Sequence, residues 1–197
     1  ENRTALRRLL PRLTQDCQIR HLSFFFQALR DQLQNSARGR DQPRIALLTA
    51  GPLDEAYFEH AYLASYLGFP LVQGGDLTVR DGCVWLKSIE GLKQVDILLR
   101  RVEDRNCDPL ELRGDGPGGV AGLLDSVRQG NVVVANPLGS SALENPGLLA
   151  FLPRIARHVF GQELELSSAA TWWCGHDGER AYVLEHMEDL VIKSTQR

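Results

Sequence analysis

The stretch Arg44 to Phe69, RIALLTAGPLDEAYFEHAYLASYLGF, decides the fold. It opens on an apolar run from Ile45 to Ala50, which has the length of one buried strand and is too short for most helices. Gly51 and Pro52 end that run. Beyond them Tyr57, Phe58, Ala61, Leu63, Ala64 and Leu67 recur at helical spacing, and Gly68 supplies the stop signal. Pro70 to Gln73 reads as the next strand. A strand–loop–helix–strand unit begins an α/β sheet, and ligands of such sheets gather beyond the C-terminal ends of the strands. The loop from Gly51 to Glu55 is therefore the first place to expect a ligand.

Toward the N-terminus, Asn35 to Pro43 is a polar linker, and Leu22, Phe25, Phe26, Leu29 and Leu33 mark a helix between Thr14 and Ser36. In residues 1–13, Arg3, Arg7, Arg8 and Arg12 alternate with Leu6, Leu9, Leu10 and Leu13. This pattern fits a basic partner-binding helix, and fits better a helix that packed on another part of a longer parent. Toward the C-terminus, Asp81 and Gly82 separate two alternating runs and predict a two-residue hairpin. Val95 to Leu99 reads as a buried strand ending in Arg100 and Arg101, and Asn131 to Ala135 as another. Helices are expected over Val120 to Arg128, Ala142 to Gly161 and Gly178 to Glu188, with Pro153 breaking the second or starting a new helix at its own position. Asp189 to Lys193 reads as a last strand that ends in lysine. The chain starts at Glu1 and stops just past this run, as a piece of a longer protein would.

A chain of 197 residues with 43% hydrophobic residues suits one domain with an appendage and a core of its own. A net charge of −3 gives no global attraction to nucleic acid or to an anionic membrane. No apolar run approaches the roughly 20 residues that span a bilayer, and no signal peptide opens the chain. Cys17, Cys83, Cys107 and Cys174 are scattered without a CxxC pair, which reads as reduced structural thiols in a cytoplasmic protein. Exposed apolar residues within 1–36 would also allow a homodimer.

The sequence holds no HExxH, GxSxG or GxxxxGK[ST] motif. Cys174 with His176, and Cys17 with His21, offer two metal ligands each where a site needs three or four, so no metal site is expected. The stretch GDGPGG at 114–119 matches GxGxxG, but no strand feeds it and Pro117 interrupts it. A flexible surface loop fits it better than a dinucleotide cradle, so a nucleotide-binding oxidoreductase is the weakest of the readings. The polar groups at strand ends are more informative. Asp54 precedes a helix carrying Tyr57, Glu59 and His60, Arg100 and Arg101 end a core strand, and loops at one sheet edge share a rim. Arginines there either meet an anionic group or cap carbonyls and pair with Glu103 and Asp104. Lys193 could aim its ammonium at a nucleotide phosphate, or lie solvated at the surface.

Several blocks together resemble a known family. Gly51 to His60, Gly74 to Gly82, Val95 to Val102, Cys107 to Leu112, Val133 to Asn136, Ala170 to Gly175 and Leu190 to Lys193 follow the order seen in the circularly permuted ATP-grasp family, bacterial proteins similar to glutathionylspermidine synthetase. A looser similarity to bacterial glutathione synthetase runs from Val95 to Phe160. The resemblance implies that residues 44–193 form a Rossmann-like pre-ATP-grasp domain, with 1–43 as a helical segment and linker and 194–197 as a tail. It implies ATP-dependent joining of a small-molecule or peptide carboxylate to an amine through an acyl phosphate, with ATP and Mg²⁺ as cofactors of the parent. Asp54, Tyr57, Glu59, His60, Arg100 and Arg101 would then face the substrate, and Lys193 would hold nucleotide phosphate. The family's Mg²⁺-binding carboxylates and glycine-rich flap have no match here, so no catalytic residue, bound cofactor or independent ligase activity is expected of these residues. A non-catalytic peptide- or polyamine-binding module is the alternative.

Overall fold

A computed structural model describes residues 2–37, 39–116 and 118–195. It divides into two compact units, residues 1–138 and 139–197. The first unit opens with helices α1 (Asn2–Leu9), α2 (Pro11–Asp16) and α3 (Ser23–Ser36). Gln18, with a φ of 48°, takes the left-handed conformation just past α2 and breaks the helix expected from Thr14 onward. The α/β body follows: β1 (Ile45–Leu48), α4 (Tyr57–Leu67), β2 (Leu71–Val72), β3 (Leu77–Arg80), β4 (Cys83–Ser88), β5 (Gly91–Gln94), β6 (Ile97–Arg100), α5 (Leu123–Arg128) and β7 (Val133–Ala135).

Strands β2, β1, β6 and β7 form a parallel sheet in that order, with Leu48 facing Val72 on one side and Arg100 on the other. β1 is buried along its whole length, as an apolar run between two covered faces must be. Its side chains divide by parity. Ile45 and Leu47 join Ile97 and Leu99 under α3 and α4, against Leu33, Leu63, Ala64 and Leu67. Ala46 and Leu48 join Leu98 on the other face, beneath Leu123 of α5 and Leu77 and Val84 of the hairpin. Each fully buried leucine contributes roughly 1.5–3 kcal/mol, so two such cores suffice to hold the sheet.

The expected hairpin forms between β3 and β4, with Asp81 and Gly82 at φ 52° and 70° in the primed turn. It gains a third antiparallel strand, β5, that the sequence pattern did not announce. Gly68 caps α4 in the left-handed conformation, and Arg30 of α3 donates a hydrogen bond to the Leu67 carbonyl while lying 5.9 Å over the Phe69 ring.

In the second unit, Pro146 and Pro153 divide the expected helix 142–161 into two short 3₁₀ turns and α6 (Leu152–Phe160). Pro153 sits in the first turn of α6, where its missing N–H has no helical partner to lose. Phe151, Trp173 and His176 pack together, and Trp172 stacks on Tyr182 of α7 (Asp177–Glu185). Asp189 to Lys193 does not form the expected strand. It has no ladder partner among the described residues, and Val191 and Ile192 stay 85% and 62% exposed. An apolar run becomes a strand only where another edge satisfies its N–H and C=O groups.

Candidate functional site

Strand order places the site. The chain leaves β1 through α4 to reach β2 on one side, and leaves β6 through α5 to reach β7 on the other. Connections from adjacent parallel strands that part in opposite directions open a crevice at their C-terminal ends. Thr49 to Glu55 follow β1 into that crevice, and Arg101 and Val102 follow β6, with the Arg101 N–H donating to the Leu48 carbonyl at 2.8 Å.

Thr49 and His60 sit at its floor, 1% and 7% exposed. Thr49 Oγ1 lies 2.9 Å from His60 Nδ1 and accepts a hydrogen bond from the Gly51 N–H at 3.3 Å. His60 Nε2 has no hydrogen-bond partner among the described residues. Burial lowers the His60 pKa below its ordinary value, Arg101 acts in the same direction, and Asp54 and Glu59 oppose it. Four of the expected rim residues therefore share one electrostatic neighbourhood. Asp54 Oδ1 also accepts the Ala56 N–H at 2.8 Å and so sets the chain's entry into α4. Tyr57, the first residue of α4, is half-buried with its ring edge-on to Phe58.

The two arginines part company. Arg100 donates to the carbonyls of Val102, Asn136 and Pro137 at 2.5, 3.1 and 3.3 Å and pairs with Asp104 at 2.6 Å. Its guanidinium holds the β6 and β7 loops together. Arg101 is exposed, and its side chain makes no hydrogen bond or ion pair among the described residues.

The glycine-rich stretch is not the loose surface loop its composition suggests. A Cβ on Gly118 would stand 2.8 Å from Ala50 Cα and 3.0 Å from Val102, and one on Gly74 would stand 2.0 Å from the Gly119 carbonyl oxygen. Backbone therefore lies on backbone across the end of β1, a contact only glycine permits. Asp108 anchors the stretch from below. Fully buried, it accepts the N–H groups of Leu110, Gly122 and Leu124 at 2.9, 3.2 and 2.9 Å. Beside it the Cys107 thiol donates to the Glu103 carbonyl at 3.2 Å, and burial pushes its pKa up to about 11.

Sequence reasoning missed Thr49, which looks like one more residue of a strand, and Asp108. An aspartate two residues before an amide it can accept, with proline between, was the available signal for Asp108. Lys193 belongs to the second unit, where its side chain is exposed.

Over residues 1–197 the chain matches the family described as circularly permuted ATP-grasp type 2. It belongs to that family. Among curated relatives, the uncharacterized protein Rv2567 of Mycobacterium tuberculosis strain H37Rv is 42% identical over 98% of this chain and 22% of its own length. Uncharacterized protein Rv2411c of the same strain is 34% identical over 100% of this chain and 36% of its own. Uncharacterized protein sll0335 of Synechocystis is 34% identical over 98% and 40%. The chain thus spans between about a fifth and two-fifths of these relatives. ATP-grasp chemistry calls for a nucleotide and Mg²⁺. No three His, Cys, Asp or Glu side chains come together as a metal site among the described residues, and Gly118 and Gly119 are turned against protein backbone. The glycine stretch is thus packed against protein and is not an open cradle for a phosphate.

Proposed function

We propose that this chain is the substrate-binding, pre-ATP-grasp part of a cytoplasmic ATP-dependent ligase that joins a carboxylate to an amine. The observation that carries the reading is that Asp54, Glu59 and His60 follow β1, and Arg101 follows β6, at the crevice between the C-terminal ends of these two strands, where an α/β sheet takes its ligand. Arg101 suits a carboxylate, and Asp54 and Glu59 suit an amine. Membership of an ATP-grasp family supports the reaction class. Nucleotide and Mg²⁺ would be bound largely by residues beyond this chain, with Lys193 contributing to phosphate binding only in the longer protein.

The test is a coupled ADP-release assay on a full-length relative, with pools of amino acids, short peptides and polyamines. ADP release that needs both a carboxylate and an amine, and falls at least about tenfold when the residue matching Arg101 becomes glutamine, is expected. Substrate binding without nucleotide turnover would instead make the protein a binding module.

A further inference from the structure

The hydrogen-bond inventory at the crevice floor fixes a proton. A threonine hydroxyl has one hydrogen to donate and two lone pairs that accept. Thr49 Oγ1 already accepts the Gly51 N–H, and among the described residues the acceptor within reach of its hydrogen is His60 Nδ1, 2.9 Å away. Both residues are buried, so a hydroxyl hydrogen without an acceptor would cost about 1–3 kcal/mol. Nδ1 therefore accepts, and the ring proton resides on Nε2, the nitrogen with no partner among the described residues. Burial and the Arg101 charge both keep the ring neutral, against Asp54 and Glu59.

We infer that Thr49 locks His60 as a neutral Nε2–H donor, and that this N–H and the Arg101 guanidinium together receive a substrate carboxylate. His60 is then a binding group and not a general base, because its remaining ring nitrogen carries the hydrogen. The acidic neighbours refine the choice of anion. Asp54 and Glu59 repel a dianionic phosphate more strongly than a monoanionic carboxylate, so a carboxylate fits the site better. Thr49 acts through His60 and is a positioning residue. The ligand assignment rests on the substrate-rim reading above, whereas the tautomer stands on hydrogen bonding alone.

The test uses this chain without ATP. Long-range ¹H–¹⁵N correlation spectra of the imidazoles, with His60 assigned by loss of its signals in His60→Gln, report which nitrogen is protonated. A protonated Nε2 and bare Nδ1 are expected in the parent and in Thr49→Ser, with a mixture of tautomers in Thr49→Val. A proton on Nδ1 in the parent overturns the lock. Sodium acetate, titrated at constant ionic strength and pH 7.5, should shift the His60 Nε2 signal saturably. Arg101→Gln should weaken that affinity about tenfold, and Arg105→Gln, whose arginine pairs with exposed Glu103, should not. No saturation, an unchanged affinity in Arg101→Gln, or tighter binding of inorganic phosphate than of acetate overturns the carboxylate assignment. Loss of ADP release in the longer relative with these spectra intact would sink the ligase reading alone.

Discussion

Arg100 and Arg101 are neighbours in sequence with opposite duties, and stability measurements should separate them. The Arg100 side chain is 8% exposed and that of its partner Asp104 is 15% exposed. Arg100→Gln should cost about 2–4 kcal/mol in urea unfolding, because it strands a largely buried carboxylate and frees three carbonyls. Arg101→Gln should stay within about 0.5 kcal/mol of the parent, having no partner to lose. Equal losses in the two variants would refute the division. Cys107 gives a pH signature. Its thiol ionises near 11 in the folded chain and near 9 when unfolded, so its contribution is complete below pH 9 and fades as pH rises toward 11. Between those pH values the parent should lose up to about 2–3 kcal/mol relative to Cys107→Ala, measured by urea unfolding at each pH. A parallel decline in both proteins would contradict the assignment.

At the level of elements, the decisive contacts lie between glycines and strand ends. Gly118→Ala meets both a φ of +83° and the Ala50 backbone, and Gly74→Ala meets the Gly119 carbonyl. Each should destabilise by about 1–3 kcal/mol, whereas Gly75→Ala, with nothing within 4 Å, should be close to neutral in thermal unfolding. The contrast shows what the sequence could disclose. β1, α4 and their Gly68 cap were legible because periodicity and a stop signal are local, and the Asp81–Gly82 turn was legible because its chemistry is. The packed glycine stretch was not, since Gly114 to Gly119 reads identically whether it floats or presses on Ala50. The third hairpin strand was hidden for a similar reason. Gly91 to Gln94 has little apolar alternation and is held by pairing with β4, a long-range fact. The rim residues were named from strand-end position, but only contacts could distinguish Arg100 from Arg101 or bring Thr49 to His60.

For the whole molecule, the nucleotide question has a direct reading. A ligand bound only by the folded state raises the unfolding midpoint. Thermal unfolding of this chain in millimolar Mg-ATP should leave the midpoint where it is, because the proposed function assigns nucleotide and Mg²⁺ largely to residues beyond this chain. An upward shift that Lys193→Ala abolishes would place a nucleotide site within these residues. The seat of Gly118 on Ala50 also bears on how such a protein can diversify. One wall of the crevice is spaced by main chain touching main chain, so exchanging side chains there strains the fold without widening the opening. The opposite wall, the first turn of α4, presents Tyr57 and Glu59 on a regular helix that tolerates substitution. Variation in what the family's crevices admit should concentrate on that helical turn, and a library built to retarget the crevice belongs there, with the glycines left fixed.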